Sequence, residues 1–376
     1  MTASYRNPIA GVAASAVVWL SCLVSTSGQA GPTTGPPMAE QVFKNVQVLK
    51  GLPVNEFMGT MGVFSAALGM SCEDCHAAGD ADWSVYAKDS PRKQMTRVMV
   101  LMMATINKTH FGGRQVVTCY TCHRGSARPR ATSNLAELYG TPPDPDPNAV
   151  FEQARGASPA EEIFSKYIQA VGGTQRVAGL TSFVAKGTSA GYGPENEPRP
   201  VEIYARAGQR TTIIHTSGGE STTTYDGRAG WIAAPFRPVA VLALSDQDVD
   251  GLKLDAELSF PAGIRQALTR WRVGLPSVID DRDVQVVQGT SARGMTATLY
   301  FDMESGLLVR QVRYAESPVG RIPRQTDYAD YREVAGVRMP FKWTVTRVDG
   351  RDVFELTEVQ PNVAIDAARF ARPGGK

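Results

Sequence analysis

The chain has 376 residues, of which 43% are hydrophobic, and this is enough for two ordinary hydrophobic cores. Its 39 basic and 37 acidic residues leave a formal net charge of +2. Because the charge is nearly balanced and no basic run contains interleaved aromatic residues, the sequence predicts no nucleic-acid partner.

The first 30 residues have the features of an export signal. Arg6 precedes the apolar or small stretch Ile9–Val24, which is short for a membrane-spanning helix, and cleavage is expected after Ala30. The predicted location is therefore the periplasm, with peripheral membrane association left open. The alternative is a lipid anchor at Cys22, although the residues before it form a poor lipoprotein processing signal.

Beyond the signal, the chain divides into two unlike parts, which predicts a two-domain α+β fold. Residues 31–130 are expected to form a mostly helical dihaem cytochrome c domain. Residues 131–157 contain a proline-rich linker, since four prolines at 142, 143, 145 and 147 favour an extended chain. Residues 158–376 are expected to form a curved antiparallel sheet with helices.

Two helices are predicted in the first part. The first runs over Pro53–Leu68 and ends at Gly69, and the second begins at Ser90-Pro91 and runs to about Asn107. Five apolar residues share one face of the second helix, which is ordinary core spacing but also suits a metal ligand. They are Met95, Met99, Met102, Met103 and Ile106.

The strongest motif is a pentad that occurs twice. Cys72-x-x-Cys75-His76 and Cys119-x-x-Cys122-His123 both have the spacing of c-type haem attachment. Two thiols at this spacing can each form a thioether to a haem vinyl group, and the adjacent histidine can bind the iron. The sequence therefore predicts two covalently bound haems c.

Other uses of the cysteines fit the pattern less well. A zinc site shared between the pentads would use four cysteines and leave both histidines unexplained. A redox-active dithiol would be expected next to a βαβ pattern, which is absent from the sequence.

The first part resembles the cytochrome c subunit of the photosynthetic reaction centre of purple bacteria. The resemblance covers about residues 40–130 and includes the stretches 43–49, 56–57, 97–102 and 117–125 around the pentads. It implies two units, each made of a methionine-bearing helix, a turn and a haem pentad.

The resemblance also implies the axial ligands of both haem irons. His76 and Met61 would bind the first iron, with Met58 as the alternative methionine. His123 and Met99 would bind the second iron, with Met102 as the alternative.

The chain departs from this family in two respects. It has two haem motifs where the family has four, and its β-rich second part has no counterpart there, which argues against a role in photosynthesis. His110 lies near a family histidine that ligates a distant haem, but no third pentad is present, so His110 is interpreted as a surface or structural residue.

The second part begins with a helix, predicted from Ser158-Pro159 to the stop at Gly172-Gly173. Another helix is predicted over 262–271, and Asp226-Gly227 predicts a hairpin turn. Nine strands are predicted around 183–186, 201–206, 211–215, 222–225, 284–288, 296–302, 307–314, 325–333 and 342–347.

Its strand-rich pattern resembles periplasmic lipoprotein-carrier domains. That resemblance implies a curved sheet around an apolar cavity that could hold a lipid, a quinone or a segment of a partner protein.

The leading hypothesis is a non-enzymatic periplasmic electron carrier with redox proteins as donor and acceptor. One alternative is a haem enzyme such as a peroxidase, which would need an open iron position. Another is an apolar-ligand or lipid-binding protein whose haems act as a redox sensor.

Overall fold

The fold was obtained as a computed structural model that describes residues 35–76, 83–140, 146, 148–150, 152–191 and 197–374. The predicted signal, its cleavage site and Cys22 lie outside the described residues. Gly35–Lys376 form one compact unit. The domain limits at residues 130 and 158 stay predictions.

The first part of the unit is helical, and most of its helices are short. The helices of the described residues are α1 Ala39–Val42, α2 Val54–Leu68, α3 Cys72–Cys75, α4 Pro91–His110, α5 Cys119–His123, α6 Leu135–Leu138, α7 Ala160–Ala170, α8 Thr174–Gly179, α9 Asp246–Leu258 and α10 Ile264–Ala267. Short 3₁₀ turns cover Trp83–Ala87, Pro261–Gly263 and Ala367–Phe370.

The second part is dominated by one large, curved antiparallel sheet, which agrees with the predicted fold class. Its strands are β1 Ser182–Gly191, β2 Arg199–Arg206, β3 Gln209–Thr216, β4 Gly219–Tyr225, β5 Gly230–Ala233, β6 Val241–Ala243, β7 Thr269–Val273, β8 Ser277–Ile279, β9 Arg282–Thr290, β10 Thr296–Asp302, β11 Leu308–Ser317, β12 Gly320–Val334, β13 Val337–Arg347 and β14 Gly350–Pro361.

Most strands pair with their neighbours in the sequence, and β1 also pairs with β14. The order is β6-β5-β4-β3-β2-β1-β14-β13-β12-β11-β10-β9-β7, with β8 paired to β9. The first strand therefore pairs with the last, for example at Phe183 and Pro361. Alternate residues of β13 from Val337 to Val345 are buried, as expected for a strand with one face on a core.

Helix α7 covers part of this core. Its Phe164 is buried and packs edge-on against Trp271, with ring centroids 4.8 Å apart, and against Phe301 at 6.0 Å. The helix begins at Ala160, one residue later than predicted. Pro159 occupies the N-cap position, so the predicted capping box at Ser158 does not form.

Several elements of the second part differ from the prediction. The helix expected over 262–271 is limited to a 3₁₀ turn and α10, and Thr269–Val273 instead forms strand β7. The 13-residue helix α9 was not predicted, and neither was strand β14.

The predicted turn at Asp226-Gly227 is present. The Asp226 carboxylate accepts hydrogen bonds there from the backbone N–H groups of Arg228 and Ala229.

The sheet reaches into the helical part through the β11–β12 hairpin. Val319 at its tip is fully buried in a small core with Leu49, Val63, Val100 and Met103. This core is separate from the main core of the sheet, and Cys119 of the second pentad packs against it.

Candidate haem-binding site

The first pentad forms a single helical turn. Ser71 caps α3, and its backbone N–H donates to the Asp74 carboxylate at 2.9 Å. The turn places Cys72 and Cys75 three residues apart on one side, as two thioether bonds to one haem require. Cys72 is exposed and Cys75 is half-buried, and burial raises the pKa of the Cys75 thiol.

The histidine of the first pentad is oriented by a backbone carbonyl. His76 Nδ1 lies 3.1 Å from the carbonyl oxygen of Tyr86. Because a carbonyl only accepts hydrogen bonds, Nδ1 must carry the proton, and Nε2 keeps the lone pair that an iron ligand needs. Burial and the nearby Lys93 ammonium lower the pKa of His76, which favours the neutral ring that binds metal.

The segment that presents this carbonyl is held by helix α4. The Lys93 ammonium donates to the carbonyl oxygens of Tyr86 and Lys88, and Asn45 Nδ2 donates to that of Ala87 at 2.8 Å. The segment that contains the Tyr86 carbonyl is therefore held by Asn45, which precedes it in the sequence, and by Lys93, which follows it.

The second pentad repeats the arrangement on α5. Thr118 caps this turn by accepting from the Thr121 backbone N–H at 3.3 Å, and His123 Nδ1 lies 3.0 Å from the carbonyl oxygen of Ser126. Nε2 of His123 is thus also left as the free ring nitrogen. Burial raises the pKa of Cys119, while Cys122 is exposed.

A buried asparagine positions the segment that leads into the second pentad. Asn107 Nδ2 donates to the Val117 carbonyl at 2.7 Å, and its Oδ1 accepts from the N–H groups of Val116 and Val117 at 3.1 and 2.9 Å. Asn107 is 6% exposed. The side chain therefore satisfies three backbone groups of an irregular loop, as buried polar groups require.

Each unit supports the pentad of the other. The Gly125 N–H after the second pentad donates to the Ala67 carbonyl of α2 at 2.9 Å. In return, the Ser90 hydroxyl at the start of α4 donates to the Cys75 carbonyl at 3.0 Å. The two pentads are thus linked by reciprocal contacts, a relation that the sequence did not reveal.

The candidate methionines have different environments. Met61 is partly buried in the small core that also contacts Cys119, whereas Met58 is 46% exposed. Met99 is half-buried, Met102 is 47% exposed, and Met103 is buried in the core. The axial pairs of His76 with Met61 and of His123 with Met99 stay predictions.

The exposed apolar surface of α4 provides a test of whether a haem fits here. Met95, Val98 and Met102 form a stripe on one face, and each is 47% or more exposed. Large side chains are seldom left exposed in such a stripe, so it fits a flat apolar group lying along the helix. The cysteine pairs and the oriented histidines on single turns fit covalent haem as well.

Three further findings concern the rest of the described residues. His110 is exposed in the last turn of α4, in agreement with a surface residue. Within the described ranges, no three His, Cys, Asp or Glu side chains come together as a metal-ligand cluster. None of the helices in the described part of the chain is long and apolar enough to cross a membrane.

Three solved structures are similar to just over half of the chain. A LolA superfamily protein from Nitrosomonas europaea is 14% identical, covers 57% of this chain and 98% of its own, and gives a TM-score of 0.39. A DUF1329 family protein from Desulfovibrio piger is 11% identical with the same coverage and a TM-score of 0.41. An outer membrane lipoprotein-sorting protein domain from Vibrio parahaemolyticus is 10% identical over 56% of this chain and 94% of its own, with a TM-score of 0.38.

Sequence comparisons match the helical part. The photosynthetic reaction center cytochrome c subunit of Thermochromatium tepidum is 38% identical over 106 residues, which are 27% of this chain and 25% of that protein. The subunit of Rubrivivax gelatinosus is 39% identical over 98 residues, 25% of each chain. The chain thus spans about a quarter of the length of these curated relatives. Residues 21–179 match the family described as photosynthetic reaction centre cytochrome C subunit, and this part of the chain is similar to that family.

Proposed function

We propose that this protein is an exported dihaem c-type cytochrome that carries single electrons between redox partners in the periplasm. The observation that carries the proposal is the repeated arrangement of a cysteine pair on one helical turn with a histidine whose Nδ1 faces a backbone carbonyl. Similarity to reaction centre cytochrome c subunits supports a c-type cytochrome.

In this proposal, Cys72 and Cys75 hold one haem and Cys119 and Cys122 hold the other. The haems supply reversible one-electron chemistry at iron. The chain's own residues orient His76 and His123, exclude water with the small core around Val319, and connect each pentad to the helix of the other unit. Thioether ligation by Met61 and Met99 raises the reduction potentials, since methionine favours ferrous iron.

The test is a spectroscopically followed redox titration of the protein purified from an export-competent host, combined with its intact mass. The proposal expects the mass of two added haems, low-spin spectra and two one-electron steps. The double variant Cys119→Ser/Cys122→Ser should retain one haem, and His110→Ala should retain both. One haem in the unaltered chain would contradict the proposal.

Carbon monoxide separates electron transfer from haem-enzyme chemistry. An electron carrier with both axial positions filled binds carbon monoxide slowly or not at all in the reduced state. A rapid spectral change at one haem would overturn the electron-carrier assignment in favour of an enzyme with a displaceable ligand.

A further inference from the structure

A large cavity lies between the sheet, helix α9 and helix α2. Its volume is about 1080 Å³, at the upper end of the roughly 300–1,000 Å³ typical of small-molecule sites. Much of its wall is apolar. The apolar lining includes Ile214, Leu252, Met339, Trp343, Val345 and Phe354.

Several arginine side chains interrupt this apolar wall, and three of them lie close to Asp255. Arg313 is buried and forms a two-pronged ion pair with Asp255, with Nη1–Oδ1 and Nη2–Oδ2 distances of 2.7 and 3.1 Å. Arg210 donates to the Ser259 hydroxyl at 2.7 Å and lies with its guanidinium carbon 6.0 Å from the ring centroid of Trp343. Arg324 completes the group, and all three line the cavity with Asp255.

Of these three arginines, Arg324 has no side-chain hydrogen bond or ion pair to any residue in the described part of the chain. Its Nε is buried and makes no hydrogen bond, and no ion pair to it is found among the described residues. Burial and the neighbouring Arg313 lower the pKa of Arg324 to about 10, so the group is charged at neutral pH.

Asp255 and Asp248 attract Arg324, but neither forms an ion pair with it among the described residues. Asp255 is held by Arg313, and Asp248 accepts a hydrogen bond from Asn55 Nδ2 at 2.6 Å. The further nearby cation, Arg347, pairs with Asp349 and Asp352. Arg324 is half-buried, and its buried Nε lacks a hydrogen-bond partner, which is costly. A bound anion would remove that cost.

We propose that this cavity binds an amphiphile with one long apolar chain and a small anionic head group, which pairs with Arg324 beside Arg210. A guanidinium matches the planar oxygens of a carboxylate and also binds phosphate oxygens. The chain would lie along Trp343, Val345 and Phe354. A neutral apolar ligand would leave Arg324 unpaired, and a small inorganic anion would leave the apolar wall uncovered.

The geometry around Arg313 keeps the site formed without ligand. Gly251 lies on α9 where a Cβ atom would come within 2.8 Å of the Arg313 guanidinium carbon, and its carbonyl accepts from Arg313 Nη1 at 2.5 Å. The helix therefore fixes Arg313 and Asp255 together, and Arg324 remains available for an external anion.

The experiment is calorimetric titration of the purified, haem-loaded protein with oleate, oleyl phosphate, oleyl alcohol and inorganic phosphate. The proposal expects at least one of the two anionic lipids to bind at least tenfold more tightly than oleyl alcohol, and inorganic phosphate to bind no better than oleyl alcohol. The two anionic arms distinguish a carboxylate from a phosphate head group. Equal affinities for oleate, oleyl phosphate and oleyl alcohol, or no binding of either anionic lipid, would overturn it.

Substitution of the unpaired arginine gives a second readout. Arg324→Met should weaken binding of the preferred anionic lipid at least tenfold and leave oleyl alcohol binding unchanged. The control Arg332→Met, on the same strand but exposed and paired with Asp330, should change neither. Without ligand, Arg324→Met should have an unfolding midpoint equal to or above that of the unaltered protein, because it removes a buried Nε that has no hydrogen-bond partner. A lower midpoint together with unchanged lipid affinity would mean that Arg324 is purely structural.

Discussion

At the scale of single residues, the two candidate ligand histidines depend on main-chain geometry more than on neighbouring side chains. Each presents Nδ1 to a carbonyl oxygen, that of Tyr86 or Ser126, and this sets the tautomer before any metal binds. The Tyr86 carbonyl also accepts from Lys93, which places a positive charge beside His76 and helps to keep its ring neutral.

The methionine assigned to the second iron is open to a direct test. Met99→Ala should lower the reduction potential of one haem and alter its low-spin spectrum, because a thioether ligand is lost. Met102→Ala, one helical turn later and more exposed, is the matched control and should change neither property. Redox titration of both variants measures this, and the opposite ranking would move the ligand to Met102.

Asn107 has an equally specific structural role. Asn107→Leu keeps the approximate size of the side chain but leaves the N–H and the carbonyl of Val117 without partners, whereas the Val116 N–H still donates to the Arg114 carbonyl. Each lost partner costs about 1–3 kcal/mol, so we expect a loss of roughly 3 kcal/mol in the free energy of unfolding. Denaturant unfolding measures the change. Asn134→Leu, which removes the cap of the exposed α6, should cost about 1 kcal/mol.

At the scale of secondary-structure elements, the helix ends that were predicted correctly are those set by residues adjacent in the sequence. The start of α4 at Ser90-Pro91 and the end of α2 at Gly69 follow from capping and left-handed backbone preferences. Helix α9 was missed because it contains four aspartates and Gly251, which disfavour helix in isolation. Its formation depends on contacts such as Arg313 with Asp255, whose partners are 58 residues apart in the chain.

The end of α2 also contacts the segment after the second pentad. Gly69 has φ +62°, and a Cβ atom there would lie 2.3 Å from the Gly125 carbonyl oxygen. Gly69→Ala should therefore destabilise the fold by more than left-handed strain alone and should disturb the second pentad.

Gly51→Ala separates these two effects. Gly51 has φ +80°, but a Cβ atom would meet nothing within 4 Å. This variant should cost about 1 kcal/mol from backbone strain alone, and Gly69→Ala should cost at least about twice as much. Thermal unfolding followed by circular dichroism makes the comparison, and equal costs would contradict the close packing between α2 and Gly125.

At the scale of the whole molecule, the helical and β-rich parts share a core that the sequence could not reveal. Composition and motif spacing distinguished the two parts of the sequence. They gave no indication that the tip of the β11–β12 hairpin packs in the same small core as Cys119 of the second pentad. The Gln115 side chain donates to the Ser317 carbonyl at 2.7 Å, and the Cys119 N–H donates to the Val319 carbonyl at 3.2 Å. Long-range pairings of this kind depend on tertiary geometry, as does the meeting of Arg210, Arg313 and Arg324 in the cavity.

Because of this shared core, we predict that the β-rich part affects haem attachment at the second pentad. Val319→Asp places a carboxylate in a fully buried apolar site beside Val63 and Val100, which should cost at least about 3 kcal/mol and loosen the turn that carries Cys119. The control Val278→Asp, on the same sheet but 61% exposed, should have little effect. Intact mass and haem absorbance of both variants measure occupancy. Full loading and unchanged stability of Val319→Asp would show that the haem-bearing helices fold independently of the sheet, whereas loss of one haem would show that the β-rich part is a structural requirement for the cytochrome.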